Sequence, residues 1–402
     1  MKSPPSPDSP NAEVIVRVAG LTDVGRTREH NEDAFVVADL TTGTTVTQPE
    51  STTLPAGSKG SLFMVADGMG GAAAGEIASA MAVDIVLGEM RTNWIAAEER
   101  EAESFVRAIK QATKTANVQI NTFAGQHPEY RGMGTTATIA GLLGDTLYLA
   151  QVGDSRAYVV RDGVARQITK DQSLMQKLIE AGELTEEEAE HSERRNIILQ
   201  ALGPEANIKV DLTHQKIRRG DTLVLCSDGL SGQVNKDQIA DIVRKESDLT
   251  KVSRRLIELA NEAGGPDNIT VIVARFEGPG LTPAGETDEV GHRVFPLHEP
   301  RPSPAMGMDR PMTGNTPTEP MPIVTSPGMI RPTPPRSTEH AVLPPIENPP
   351  VPEPPVVTPA RRNTGRVIAI GLFALLVVGA AWFVLHSAGA VTNKTGTTAP
   401  RP

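Results

Sequence analysis

Two stretches of the chain are built alike. "LFMVADG", Leu62 to Gly68, and "LVLCSDG", Leu223 to Gly229, each carry an apolar strand-like segment into an aspartate and then a glycine, whose missing Cβ lets the backbone turn sharply. A third aspartate, Asp267, stands in "GGPDNITVIV" just before a last apolar run. Asp154 lies in the turn of "LAQVGDSRAYVV", and "DVGRTREHNED" ends in Glu32 and Asp33. Any one Asp-Gly pair is ordinarily a turn. Together these residues set several carboxyls at strand ends, where two packed sheets would bring them to one edge. Carboxylates crowded in this way raise each other's pKa and need a cation to stay ionised. Oxygen donors suit Mg2+ or Mn2+. Zinc would call for His or Cys at ligand spacing, and the eight histidines form no such pair.

Other chemistries are excluded by the same residues. Gly70 to Gly75 resembles a phosphate-binding glycine loop, but a P-loop needs Lys and then Ser or Thr next, and the chain has Glu76 and Ile77. Cys226 is the only cysteine, so no intrachain disulfide forms and a reducing compartment suits the domain. It is not a phosphatase nucleophile either, because six positions on, where that chemistry needs arginine, stands Gly232. A formal charge of −10 with no long basic block argues against nucleic acid as a partner.

The elements that must position the carboxyls can be read from apolar spacing. Val14 to Val18, Ala34 to Asp39 and Leu62 to Ala66 are strands, and Leu40 to Gly60 reads as an exposed hairpin loop. Helical spacing covers Gly75 to Trp94 and Glu103 to Phe123, and a meander of about four short strands follows from Thr135. Gln172 to Ala189 is helical and polar. After it come "TLVLCSD", a helix pair over Lys236 to Ala263, and the strand "NITVIVARF". Helices in pairs and strands in meanders predict an α+β fold, a four-layer αββα sandwich of two antiparallel sheets flanked by helix pairs.

Composition sets the domain limits. Residues 1–12 are a disordered N-terminus without a secretory signal, which predicts a cytoplasmic domain, and 13–277 form a single monomeric domain. Of the 33 prolines, 22 lie between Gly278 and Ala360, so 278–366 reads as a Pro-rich disordered linker. Val367 to Leu385 is an uncharged run of 19 residues, about 28 Å as a helix at ~1.5 Å per residue and close to the ~30 Å hydrocarbon core. It predicts one transmembrane helix, with 386–402 a short polar tail. Arg361, Arg362 and Arg366 precede the run, in keeping with a single-pass inner-membrane protein whose folded domain is cytoplasmic.

In order and spacing, "DVGRTREHNED", "DGMGG", "GMGTTAT", "VGDSRAY", "KDQSL", "RNIILQALG", "CSDGL" and "GPDNITVIV" resemble the bacterial branch of the metal-dependent protein phosphatases, also called protein phosphatase 2C or PPM. The resemblance covers Val14 to Phe276. It implies a serine/threonine phosphatase with two Mn2+ or Mg2+ ions, in which Asp67 bridges both metals and the Gly68 carbonyl binds one. By the same match Asp228 and Asp267 ligate the other, and Asp154 ligates a third, weaker metal. Glu32 and Asp33 match residues that hold waters on the metals, and Arg28 matches the arginine that grips the substrate phosphate, a task suited to a guanidinium fork. Met69 departs from the histidine of many eukaryotic members, so the leaving-group proton has another source. The implied partners are phosphorylated proteins, among them Hanks-type kinases and their targets. The rival readings are an inactive scaffold on the same fold and a membrane adaptor working through its Pro-rich segment.

Overall fold

The computed structural model describes residues 13–298, apart from 47–50, 71–73, 191, 193, 286 and 287. The chain opens with β1 (Val14–Asp23) and β2 (Asp33–Asp39), whose alternating apolar residues fill the interior. Between Leu40 and Gly60 the expected loop carries two strands, β3 (Thr45–Val46) and β4 (Thr52–Ala56). β4 leaves the neighbourhood of β2 and adds to the far side of β1, so the stretch links the two sheets. β5 (Ser61–Met69) is buried as far as Ala66 and then emerges at Asp67. It feeds the helices α1 (Ala74–Met90) and α2 (Ala102–Gln126).

The meander follows as β6 (Gly134–Thr135), β7 (Ala137–Leu143), β8 (Thr146–Val152), β9 (Arg156–Arg161) and β10 (Val164–Gln167). The polar helical segment is two short helices, α3 (Leu174–Glu180) and α4 (Glu186–Glu190). They are parted at Gly182, which takes a φ of 74° that most side chains avoid. β11 (Asp211–Lys216), too polar to be read from the sequence, precedes β12 (Thr222–Cys226) and the single turn α5 (Asp228–Ser231). α6 (Lys236–Lys245) starts in a capping box made by Asn235 and Gln238, and α7 (Leu249–Glu262) is capped by Asp248. β13 (Ile269–Glu277) closes the series.

Two antiparallel sheets result. One has the order β10-β9-β12-β13-β1-β4, the other β11-β8-β7-β5-β2-β3, with β6 attached to β5. Their facing sides share a core around Val16, Phe63, Leu149, Val159 and Phe276. α1 and α2 cover the outer face of the second sheet, and α6 and α7 that of the first. The four layers αββα are those expected.

The domain runs past the expected boundary at 277. Leu281 is fully buried in the core between the sheets, and the Arg218 guanidinium forks onto Asp288 at 2.6 and 2.7 Å. The His214 amide donates to Arg293 O, and the Phe295 amide to Leu212 O, both at 2.9 Å. Phe295 stands edge-on to Tyr148 at 5.5 Å, and Arg107 donates to His298 O. Residues 278–285 thus continue the domain beside β1 and the turn before β12, and residues 288–298 form a strap over the outer edge of β11. The remainder of the expected linker, the apolar run 367–385 and the polar tail lie outside the described residues. Among the described residues no helix is long and apolar enough to cross a membrane.

Candidate active site

The two sheets end together at one edge, and the acidic residues stand on those ends. In the second sheet β2 and β5 pair with Asp33 opposite Asp67. In the first, Asp228 follows β12 and Asp267 precedes its neighbour β13. Ser227 joins the sheets: its hydroxyl donates to Asp33 Oδ2 at 2.8 Å and accepts from the Thr270 amide at 2.9 Å. Asp228 lies close enough for its charge to act on the Asp67 carboxyl.

Asp67 is held by its main chain, which leaves its carboxyl free. Its N–H donates to Thr136 Oγ1 at 3.0 Å, and its C=O accepts from the Thr136 amide at 2.8 Å and the Thr135 hydroxyl at 2.9 Å. Thr136 Oγ1 also pairs with Ser155 Oγ at 2.8 Å, beside buried Asp154. Gly68 has no room for a side chain, since a Cβ there would come within 2.4 Å of Glu32 O and 2.3 Å of Gly75 O. The Glu32 carbonyl accepts from the Gly68 amide at 3.1 Å and the Ser79 hydroxyl at 2.6 Å. Its carboxyl rests against Gly75 at the start of α1, and burial raises its pKa while Arg28 and the Gly75 amide oppose the rise.

Arg28 is half-exposed at the rim and donates to Asp267 Oδ2 at 2.8 Å. The residue expected to grip phosphate thus sits on one of the expected metal ligands.

The electrostatics describe a site short of positive charge. Burial, reinforced by the charges of Asp33, Asp228, Asp154 and Asp267, holds the Asp67 carboxyl well above the usual carboxylate range. Burial lifts Asp33 to about 7, with Asp228 and Asp267 adding to it, and lifts Asp154 to about 8, with Asp228 and Asp171 adding. Asp228 is raised as well, first by burial and then by Asp267. Asp33 Oδ1 is buried with no hydrogen-bond partner. An orphaned buried carboxylate oxygen beside crowded carboxyls is what a hard divalent cation satisfies. No three His, Cys, Asp or Glu side chains among the described residues converge into a cage of their own. The oxygen donors that do stand at this edge are of the kind Mg2+ or Mn2+ takes, with water completing the shell.

Beside the cluster runs an open groove of about 960 Å³, bordered by Arg28, Asp154, Asp228 and Asp267 and reaching β10 and the start of α6. A smaller depression of about 580 Å³, between α6 and α7, holds none of these residues.

Several residues that build the site carry no signal in spacing. Buried Asn268 donates through Nδ2 to Val24 O at 3.0 Å and His30 O at 2.9 Å, and its Oδ1 accepts from the Glu32 amide at 2.8 Å. It pins the loop that carries Arg28 and Glu32. Arg156 forks onto Asp171 through Nε at 2.9 Å and Nη2 at 2.7 Å. The Gln172 side chain accepts from the Gly153 amide at 3.0 Å, next to Asp154.

Comparison with known proteins gives one consistent answer. Residues 51–270 match the model of a family described as Protein phosphatase 2C. The serine/threonine phosphatase stp of Listeria welshimeri is 36% identical over 252 residues, which are 63% of this chain and 92% of that protein. The serine/threonine protein phosphatase PstP of Mycobacterium tuberculosis is 35% identical over 262 residues, 65% of this chain and 45% of that protein. Among solved structures, the catalytic domain of the serine threonine protein phosphatase PstP in complex with two manganese ions aligns with a TM-score of 0.53 and 32% identity. That alignment covers 66% of this chain and 99% of the other.

Proposed function

The chain belongs to the protein phosphatase 2C family, and we infer from that premise that it is a metal-dependent protein-serine/threonine phosphatase using Mn2+ or Mg2+. The observation that carries the reading is the edge where the sheets meet, with Asp33 opposite Asp67, Ser227 reaching across to Asp33 Oδ2, and Asp33 Oδ1 left without a partner. Asp67, Asp228, Asp267 and the Gly68 carbonyl are the groups that would hold two ions, and Asp154 a third. When bound, such a pair lowers the pKa of water between them and neutralises the charge that gathers at phosphorus.

The chain's own residues do the rest. Thr135 and Thr136 fix the Asp67 main chain, so its carboxyl keeps its place as charge changes around it. Arg28, released from Asp267 by an incoming phosphate, exchanges one anionic partner for another and binds the transferred group. Glu32 and Asp33 are the acceptors that orient water at the cluster. Met69 carries no exchangeable proton, so the proton for the leaving alcohol comes from water or from a neighbouring carboxyl.

We further propose that the enzyme is anchored to the inner membrane by residues 367–385, with its catalytic domain in the cytoplasm acting on Hanks-type kinases and their targets. The support is the uncharged run and the proline-rich sequence before it. Fractionation of the full chain against a chain lacking 361–402 tests the anchor, and a full chain recovered in the soluble fraction would remove it.

The catalytic test is direct. The purified full chain should hydrolyse p-nitrophenyl phosphate and phosphothreonine peptides with Mn2+ or Mg2+ and fall silent in EDTA. Asp67→Ala should lose metal binding by calorimetry together with turnover, while Arg28→Ala should keep the metals and mainly raise KM. Undiminished metal binding in Asp67→Ala would refute the assignment of that carboxyl.

A further inference from the structure

Ser227 follows β12 and is the N-cap of α5, with φ of −73° and ψ of 171°. A serine in that place ordinarily turns its hydroxyl onto an amide of the helix's first turn. Ser227 does not, and its side chain makes no capping bond to α5. A residue suited to a local rule that breaks it is engaged elsewhere.

Its bonds show where. The Ser227 amide donates to Thr270 O at 3.1 Å, which carries the pairing of β12 with β13 one residue past Cys226 and Val271. The return bond of that pair would go to Ser227 O, but this carbonyl already accepts from the Leu230 and Ser231 amides of α5. The Thr270 amide donates to Ser227 Oγ instead, at 2.9 Å. A hydroxyl has one proton to give. With its oxygen engaged as acceptor by its own sheet, Ser227 gives that proton to the other, to Asp33 Oδ2 at 2.8 Å. The residue is fully buried, so bulk water does not compete for it.

Asp33 stands directly opposite Asp67, and residues so paired carry their side chains on one face of the sheet. Asp228 and Asp267 act on the Asp33 carboxyl as like charges, which would turn an untethered side chain away from the cluster. The bond to Oδ2 resists that turn. It leaves Oδ1, buried and without a partner, as the oxygen free to serve the site.

We propose that Ser227 is a positioning residue for the metal centre, fixing the Asp33 carboxyl of the second sheet against the strand end that carries Asp228 of the first. This rests on the phosphatase reading and adds how donors from two separate sheets are kept in alignment. Donors aligned when the chain folds need no ordering when the ions arrive, and affinity gains accordingly.

The test is Mn2+ calorimetry on the full chain, which reads binding without turnover. Ser227→Ala removes the hydroxyl, and Ser227→Cys keeps most of the volume while offering only a weak S–H donor. Hydrogen bonds to charged groups are the stronger class, so both variants should bind Mn2+ roughly 10-fold or more weakly. At saturating Mn2+ kcat on p-nitrophenyl phosphate should fall with KM nearly unchanged, because Arg28 is held separately by Asp267. Ser227→Ala also takes the acceptor from the Thr270 amide and should lower Tm in EDTA, so Ser227→Cys is the variant that decides. In an Asp33→Ala background, Ser227→Cys should leave Mn2+ affinity where Asp33→Ala had put it. Unchanged affinity in Ser227→Cys, or a further drop in the Asp33→Ala background, would overturn the proposal and leave Ser227 a purely structural role. A chain that binds Mn2+ yet leaves p-nitrophenyl phosphate intact would count against the phosphatase reading alone, and calorimetry would still decide the alignment.

Discussion

Asn268→Ala removes an amide that makes three hydrogen bonds, to Val24 O, His30 O and the Glu32 amide. Each contributes about 0.5–1.5 kcal/mol net, so the sum is roughly 1.5–4.5 kcal/mol. Water can enter from the open rim and re-pair some of the freed groups, which places the expected loss near ~2–3 kcal/mol. The fold itself should survive, because the other end of the loop keeps the bond from the Arg26 amide to Gly265 O at 2.7 Å. What loosens is the segment bearing Arg28. If about half of the lost free energy lay in holding that segment ready, KM for p-nitrophenyl phosphate would rise roughly 5- to 10-fold. The assay is a double-mutant cycle with Arg28→Ala, read by urea unfolding and by KM. Since Asn268 is argued to act through Arg28, the second substitution should add little to KM once the first is present. An unchanged KM in Asn268→Ala, or KM effects that multiply in the double variant, would refute the reasoning even if stability fell as expected.

Other outcomes follow from the same geometry. In metal-free protein Asp33 and Asp154 titrate near 7 and near 8 in the folded state, against 3.8 when free. The folded chain then holds protons that the unfolded chain has released. This stabilisation is complete below about pH 4 and is lost as pH rises through about 7 to 8. Tm in EDTA should fall from about pH 5 to about pH 8, saturating Mn2+ should remove the slope, and a flat Tm in EDTA would contradict the crowding argument. Ending the chain after Glu277 removes the strap and unburies the groove for Leu281, a loss of about 1.5–3 kcal/mol from that side chain alone. Such a protein should melt earlier and scatter more light through its bare β11 edge than one ending after His298, and equal melting would show the strap to be dispensable. Arg161 and Asp221 form a buried pair, Asp221 being 1% exposed. Arg161→Leu should therefore cost about 3–5 kcal/mol by stranding the carboxylate, and adding Asp221→Asn should recover part of that in urea unfolding.

The acidic edge was legible where one residue type stands at the end of an apolar run. Asp67 and Asp228 could be found because an apolar run stops at each, and reading Leu40 to Gly60 as a hairpin loop implied that the strands on either side of it pair. The register that sets Asp33 opposite Asp67 is a consequence of that pairing. The chain beyond Glu277 escaped for a physical reason. Leu281, Phe295 and Leu297 anchor it one at a time across polar and proline-rich sequence, and neither helical nor strand periodicity can register isolated anchors. β11 escaped because, as an edge strand beneath the strap, it alternates less cleanly than a central one.

Asn268 shows the other limit. Its partners lie 236 to 244 positions away in the chain, and they are main-chain groups, which every residue possesses. No choice of residue at Val24, His30 or Glu32 could announce that an amide would bind there. The ordered motifs nevertheless carried this information in another form. "GMGTTAT" supplies the hydroxyls that clamp the Asp67 main chain, "VGDSRAY" the serine that pairs with Thr136, and "KDQSL" the glutamine that holds the Gly153 amide. Thr135, Thr136 and Gln172 thus fix the backbone of a neighbouring motif, and Ser155 braces Thr136 through its hydroxyl.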